Sequence, residues 1–195
     1  MTLAVILAGG RGERLGGCDK PLLSLGKNRI LDQLVLRLSP QVSQIALAIR
    51  QEQDSFRGCG MELLPDSRSG KGPLVGILSA IEWASRKGVS SVLTVPGDTP
   101  FIPYDLVTRL SPAPSCAESL GRMHPLVAFW PTACLPELHQ HINLALASGL
   151  RRQMAVRPFS EKIGMRQVSF DSDAGDPFFN INTYEDLAAI NQTAS

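Results

Sequence analysis

An apolar run, Leu3 to Leu7, ends in Ala8-Gly9-Gly10 and opens into a short cationic loop, Arg11-Gly12-Glu13-Arg14-Leu15-Gly16-Gly17-Cys18-Asp19-Lys20. Glycines let successive backbone N–H groups close on an anion, and Arg11, Arg14 and Lys20 supply neutralising charge. These residue types in this order suit a triphosphate whose terminal phosphates leave as an anion. The same composition also fits an ordinary glycine-rich turn with solvated arginines. Two familiar phosphate loops fail here. The dinucleotide fingerprint wants a third glycine where Leu15 stands, and the lysine-serine/threonine loop wants its lysine directly after the last glycine, where Cys18 stands.

Carboxylates provide the second chemical element. Asp98 follows Val95-Pro96-Gly97, and Asp66 follows Leu63-Leu64-Pro65, each just past an apolar strand candidate. In open α/β sheets ligands gather beyond the carboxyl ends of the strands, so Asp98 shares a crevice with the glycine loop. Magnesium is held through one or two carboxylates together with substrate phosphates, which makes Asp98 the candidate metal ligand. A turn aspartate bonded to its own backbone is the other reading of Asp98, and a turn or cap role is the other reading of Asp66-Ser67. Arg151 and Arg152 could meet an anionic acceptor or form a solvated helix end. Asn180 and Asn182 alternate on an extended segment and share a face, or they belong to a turn into the last helix. His124 opens a strand and reads as structural. His139 and His141 are two apart on a helical pattern and face different ways, against a metal site.

The elements that position these groups alternate. Strands are predicted over Leu3–Leu7, Gln44–Ile49, Met61–Leu64, Ser91–Val95, Leu126–Trp130 and Gln167–Phe170. Helical spacing covers Ile30, Leu31, Leu34, Val35 and Leu38, then the stretch from Pro73 to Gly88, then Pro136–Ser148, with Thr183 and Asp186 capping a last helix. Ser111–Ser119, with Pro112 and Pro114, reads as an exposed variable loop, and Asp171–Pro177 as a second turn-rich stretch. Alternating strands and helices imply an α/β unit whose mostly parallel sheet is covered on both faces.

Together, Leu7-Ala8-Gly9-Gly10-x-Gly12-x-Arg14-Leu15-Gly16-x-x-Asp19-Lys20 resembles the opening motif of the nucleotidyltransferases, and most closely that of the molybdenum cofactor guanylyltransferases. Lys71-Gly72-Pro73-Leu74-Val75-Gly76, Pro96-Gly97-Asp98-Thr99-Pro100, Arg122-Met123-His124-Pro125, Gly149-Leu150-Arg151-Arg152 and Phe179-Asn180-Ile181-Asn182 resemble further family blocks in the family's order. The resemblance implies a three-layer Rossmann-like fold in one domain, with residues 1–100 as nucleotide-binding half and 101–195 as acceptor-binding half. It implies transfer of GMP from GTP to molybdopterin with Mg2+ on Asp98. Lys20, Arg14 and Asp98 would be catalytic; Leu7, Ala8, Gly9, Gly10, Lys20, Asp66 and Asp98 would bind nucleotide; Arg151, Arg152, Asn180 and Asn182 would bind the acceptor. Other cofactor-biosynthesis proteins and recipient molybdoenzymes are the further partners it suggests.

Two departures bear on substrate. The family tends to carry an asparagine at the end of the second strand, where this chain reads Ala48-Ile49-Arg50, and a guanidinium donates but cannot accept. Gly12 and Leu15 stand where a serine and a methionine are usual, a detail shared with the sugar-nucleotide enzymes, whereas the short Arg14-to-Lys20 spacing is not. Gly9-Gly10 differs from the Ala-Gly of the cytidylyltransferases acting on the same pterin. Another base or acceptor, and a non-catalytic nucleotide-binding module, are the alternative functions.

Composition agrees with a small-molecule enzyme. The 195 residues carry a net charge of +1, which argues against a nucleic-acid binder. The cysteines Cys18, Cys59, Cys116 and Cys134 show no metal or redox spacing and read as reduced thiols, pointing to the cytoplasm. The N-terminal apolar run is too short for a signal peptide and no later run reaches membrane-spanning length, so a soluble protein is expected.

Overall fold

The computed structural model describes residues 1–10, 17–50, 54–67, 72–149, 151–171 and 175–193. Its strands are β1 (Leu3–Leu7), the short pair β2 (Ser24–Leu25) and β3 (Asn28–Arg29), β4 (Gln44–Ile49), β5 (Glu62–Pro65), β6 (Ser91–Pro96), β7 (Ser115–Ser119), β8 (Arg122–Pro131) and β9 (Arg166–Ser169). Helices are α1 (Ile30–Leu38), α2 (Pro73–Arg86), α3 (Leu106–Leu110), α4 (Leu135–Ser148), α5 (Val156–Lys162) and α6 (Tyr184–Thr193). Seven strands form one sheet in the order β5-β4-β1-β6-β8-β7-β9. β5, β4, β1 and β6 pair in parallel, β8 runs against both β6 and β7, and β9 is parallel to β7. This is the mixed, mostly parallel sheet expected, and only β8 reverses.

The continuous apolar sequence of β1 follows from burial on both faces: Leu3, Ala4, Val5 and Ile6 are fully buried. Leu3 and Val5 join a core with α2, α4 and α5, while Ala4 and Ile6 join a second core with α1 and α3. α2 begins with Pro73, whose missing N–H is harmless in a first turn, and the chain leaves it through Gly88 at φ +72°. Thr183 and Asp186 cap α6 as expected. The Thr183 hydroxyl accepts from the Asp186 amide at 3.1 Å, and the Asp186 carboxylate accepts from the Thr183 amide at 2.9 Å.

One segment departs from the sequence expectation. The stretch 111–119, expected as an exposed loop, instead contains β7, where Ser115, Cys116 and Ala117 are fully buried. The serines tolerate the interior because their hydroxyls are satisfied: Ser115 donates to the Leu110 carbonyl, and Ser119 to Asp176. Small polar residues next to prolines carry little strand signal, so pairing to β8 and β9 decides the conformation. A two-residue turn, Leu120-Gly121 at φ +50° and +71°, joins β7 to β8. Expected strands elsewhere shift by a residue or lengthen, as where Leu126–Trp130 extends to the whole of β8.

Candidate active site

The carboxyl ends of β5, β4, β1 and β6 lie side by side, so Asp66 and Asp98 bracket a rim of about 14 Å at the usual strand spacing. Beyond that rim is a cavity of about 530 Å³, with Leu7, Ala8, Gly9, Gly10, Lys20, Asp66 and Asp98 in its lining. Seven of the residues expected around a nucleotide are thus brought together. The turn after β1 is fixed by its neighbours. The Ala8 amide donates to the Ala48 carbonyl at 2.8 Å, and the Gly97 amide donates to the Leu7 carbonyl at 3.0 Å.

Lys20 opens a 3-10 turn, Lys20–Leu22, whose Pro21 is buried. Its Nζ donates to Asp98 Oδ2 at 3.0 Å and to Asn182 Oδ1 at 2.7 Å, with the Lys20 and Asp98 side chains only 17% and 19% exposed. A cation in contact with two acceptors beside a cavity neutralises Asp98 and can be redirected to an entering polyanion. Asp98 is also joined through its carbonyl to the Ile181 amide at 2.9 Å, which brings the C-terminal segment to the same place. Sequence reasoning assigned Asn182 to an acceptor; its bond to Lys20 had no signal in spacing, because 162 residues separate the two.

Glycine spacing is explained sterically at two positions. A Cβ on Gly97 would stand 2.6 Å from Pro21 Cγ and 3.1 Å from the Leu7 carbonyl oxygen, so the Asp98 turn nests against the Lys20 turn only without a side chain. A Cβ on Gly76 would reach 3.3 Å from Leu7 Cδ2, which accounts for a glycine inside an otherwise apolar helix.

Arg50 lines the cavity and pairs with Asp19 Oδ1 at 3.4 Å, while the Ser55 hydroxyl bonds the other oxygen of Asp19. The departure noted at the end of the second predicted strand therefore ties β4 to the residue preceding Lys20. Burial pushes the Asp66 carboxyl above its ordinary pKa, and the nearby positive charge of Arg50 opposes that shift.

Arg14 lies outside the described residues, as do Arg11, Lys71 and Leu150, and of Arg151 only the backbone is described. The 3-10 turn Arg151–Met154 comes close to the lining residue Gly72, with the Met154 carbonyl 3.6 Å from where a Cβ on Gly72 would lie. Arg152 is exposed there, and neither it nor Asn180 is among the lining residues. The Asn182 amide group donates to the Asn180 carbonyl at 3.4 Å, placing the two residues on one short strap. The two helical histidines have separate surroundings, as expected: His139 faces Glu82 at 3.4 Å, and His141 meets the Gln153 carbonyl at 2.9 Å. No cluster of three or more His, Cys, Asp or Glu suited to a metal occurs among the described residues. A lone carboxylate at Asp98 fits a hard cation that brings most of its oxygen ligands with the substrate.

Comparison with known proteins settles the family. The MobA-like NTP transferase domain matches residues 4–161. A molybdenum cofactor guanylyltransferase from Acidiphilium cryptum is 46% identical over 187 residues, covering 95% of this chain and 92% of that protein. The chain belongs to the molybdenum cofactor guanylyltransferase family. A second member, from Mesorhizobium japonicum, is 41% identical and covers 94% of this chain and 91% of its own length. Among solved structures, molybdopterin-guanine dinucleotide biosynthesis protein A from Archaeoglobus fulgidus superposes with a TM-score of 0.74 at 21% identity, covering 100% of this chain and 98% of that one. A 2-C-methyl-D-erythritol 4-phosphate cytidylyltransferase from Thermus thermophilus reaches 0.67 at 21% identity, covering 100% and 99%. These structures share the Rossmann-like nucleotidyltransferase fold. The family assignment makes the protein a nucleotidyltransferase of molybdenum cofactor biosynthesis. Among the described residues no helix is long and apolar enough to cross a membrane.

Proposed function

We propose that this chain transfers GMP from GTP to molybdopterin and releases pyrophosphate, forming the guanine dinucleotide cofactor. The observation that carries the proposal is the Lys20 ammonium held between Asp98 and Asn182 at the rim of a glycine-floored cavity. Backbone groups of Leu7 to Gly10 seat the nucleotide, and Asp66 faces its nucleoside part from the β5 end of the rim. A terminal phosphate oxygen of the acceptor attacks the α-phosphorus; the new O–P bond forms as the bond to the β-phosphate oxygen breaks, and pyrophosphate carries away the charge. The attacking oxygen is already anionic, so no side chain has to remove a proton. Lys20 stabilises the departing pyrophosphate, with Arg14 assigned the same task from the sequence. Asp98 would hold Mg2+, which when bound neutralises phosphate charge and aligns the transferring group.

The nucleotide occupies the half formed by residues 1–100. Residues 101–195 supply the acceptor side through Arg151, Arg152, Asn180 and Asn182. A cytoplasmic setting accords with four cysteines, none of which is joined in a disulfide. The proposal is tested by incubating the protein with Mg2+, α-labelled GTP or CTP, and molybdopterin, and following label into the pterin by mass. Selective transfer from GTP supports it; transfer from CTP would change the base, and transfer from neither would refute it. Asp98→Ala should abolish transfer while leaving the melting temperature close to wild type. Normal transfer by that variant would remove Asp98 from the mechanism.

A further inference from the structure

The segment that carries Asn180 and Asn182 has no strand or helix of its own between Asp176 and Asn182. It is pinned at its far end by the Ile181 amide on the Asp98 carbonyl and by Asn182 on Lys20. At its near end it is pinned by a polar chain away from the cavity. The Ser119 hydroxyl lies 2.7 Å from Asp176 Oδ1 and 2.8 Å from His124 Nε2, and the Phe178 amide donates to the same Asp176 oxygen at 2.8 Å. Between the two ends, Phe178 is buried against the His124 ring at 5.1 Å and against Phe170 at 5.2 Å.

The direction of this chain follows from its donors. An ionised carboxylate only accepts, so the serine proton points to Asp176 and the serine oxygen is left to accept from His124. His124 must therefore carry its proton on Nε2. Burial favours the neutral ring, with Arg122 acting in the same sense and Asp176 and Glu118 against it. Ser119 is 1% exposed, so no solvent competes for its hydroxyl.

We propose that His124, Ser119 and Asp176 are positioning residues that set the strap 176–182 and, through it, hold Asn182 on Lys20. None of the three is among the residues that line the cavity, so their effect on the reaction passes through the strap. The inference rests on the reading of Lys20, Asp98 and Asn182 as the reacting site.

The test is a double-mutant cycle in the full chain with Ser119→Ala, Asn182→Ala and the double variant, measuring kcat, the KM for GTP and the melting temperature. Losing a hydrogen bond to a charged group is worth about a tenfold fall or more in kcat if Asn182 is displaced. The KM for GTP should change less than kcat, because backbone groups of Leu7 to Gly10 seat the nucleotide while Lys20 acts chiefly on the departing pyrophosphate. The double variant should turn over no more slowly than Asn182→Ala alone, since the serine acts through that residue. Asp176→Asn keeps an oxygen acceptor and should retain most of the turnover that Asp176→Ala loses. If Ser119→Ala does not fold, His124→Ala is carried through the same cycle. Multiplying effects of Ser119→Ala and Asn182→Ala, or a lowered melting temperature with unchanged kcat, would overturn the positioning role alone. Unchanged transfer by Asn182→Ala would overturn the role together with the site reading beneath it.

Discussion

Gly97→Ala is the most demanding single test of how the site is assembled. The added methyl would sit 2.6 Å from Pro21 Cγ and 3.1 Å from the Leu7 carbonyl oxygen, whereas ordinary contact begins near 3.4 Å, so Pro21 must yield by most of an ångström and the carbonyl by a few tenths. Neither neighbour is a flexible chain end: Pro21 is a buried ring, and Leu7 ends β1 with its carbonyl bonded to the Gly97 amide. Forcing one methyl into such packing costs about 1–3 kcal/mol, which for a chain of this size lowers Tm by roughly 2–12 °C. Pro21 follows Lys20 directly, so the displacement is passed to the ammonium. A misplacement near 1 Å in a positioned group costs about 100-fold in rate. Calorimetry gives the first quantity and pyrophosphate release under saturating substrates the second. Replacing Pro21 by Ala in the same background removes the offending atom, so the double variant should regain Tm relative to Gly97→Ala. A Gly97→Ala protein with wild-type Tm and turnover would refute the packing argument, as would a double variant whose losses simply add.

Three further outcomes are expected. Asp66→Asn should raise stability at pH 7, because burial lifts the Asp66 pKa in the folded state and the ionised form therefore costs stability; the advantage should shrink as pH falls through the folded pKa and vanish below 3.8, which melting curves across pH will read. Thr94→Val should cost about 1–3 kcal/mol in denaturant unfolding, since it leaves the buried Trp130 Nε1 without the oxygen it reaches at 2.9 Å. Iodoacetamide at pH 8 should label Cys18 and Cys59 in the native protein well before Cys116 and Cys134, whose thiols burial pushes up to about 11 and about 12; equal labelling of all four in a mass spectrum would contradict this.

The strand-end cavity was legible because the residues that line it are read from local sequence. A parallel strand buried on both faces must be apolar throughout, so β1 was read from consecutive residues, and Ala8 to Gly10 after it line the cavity. Asp98 and Asp66 were placed at the strand ends by the same logic, as polar residues just beyond apolar runs, and both line the cavity. The reach of Lys20 to Asn182 was not legible, since no periodicity links residues on opposite ends of the chain. The stretch 111–119 misled for the opposite reason. Its serines and prolines carry turn chemistry, yet tertiary hydrogen bonds from Ser115 and Ser119 permit a buried strand. Arg50 shows a third case, in which a departure from family pattern was visible but its partner, Asp19, was not.

The reversal of β8 has an architectural result. With β8 antiparallel to both β6 and β7, the Leu120-Gly121 hairpin emerges on the same side of the sheet as the loops after β1, β4, β5 and β6. A hairpin tip can change length without shifting the register of the strands it joins, whereas lengthening a connection in the parallel half moves a whole crossover. The parallel half of the sheet is thus tied by crossovers, whereas the β7–β8 side ends in an adjustable tip. A lineage can therefore vary this tip while the parallel half of the sheet stays fixed.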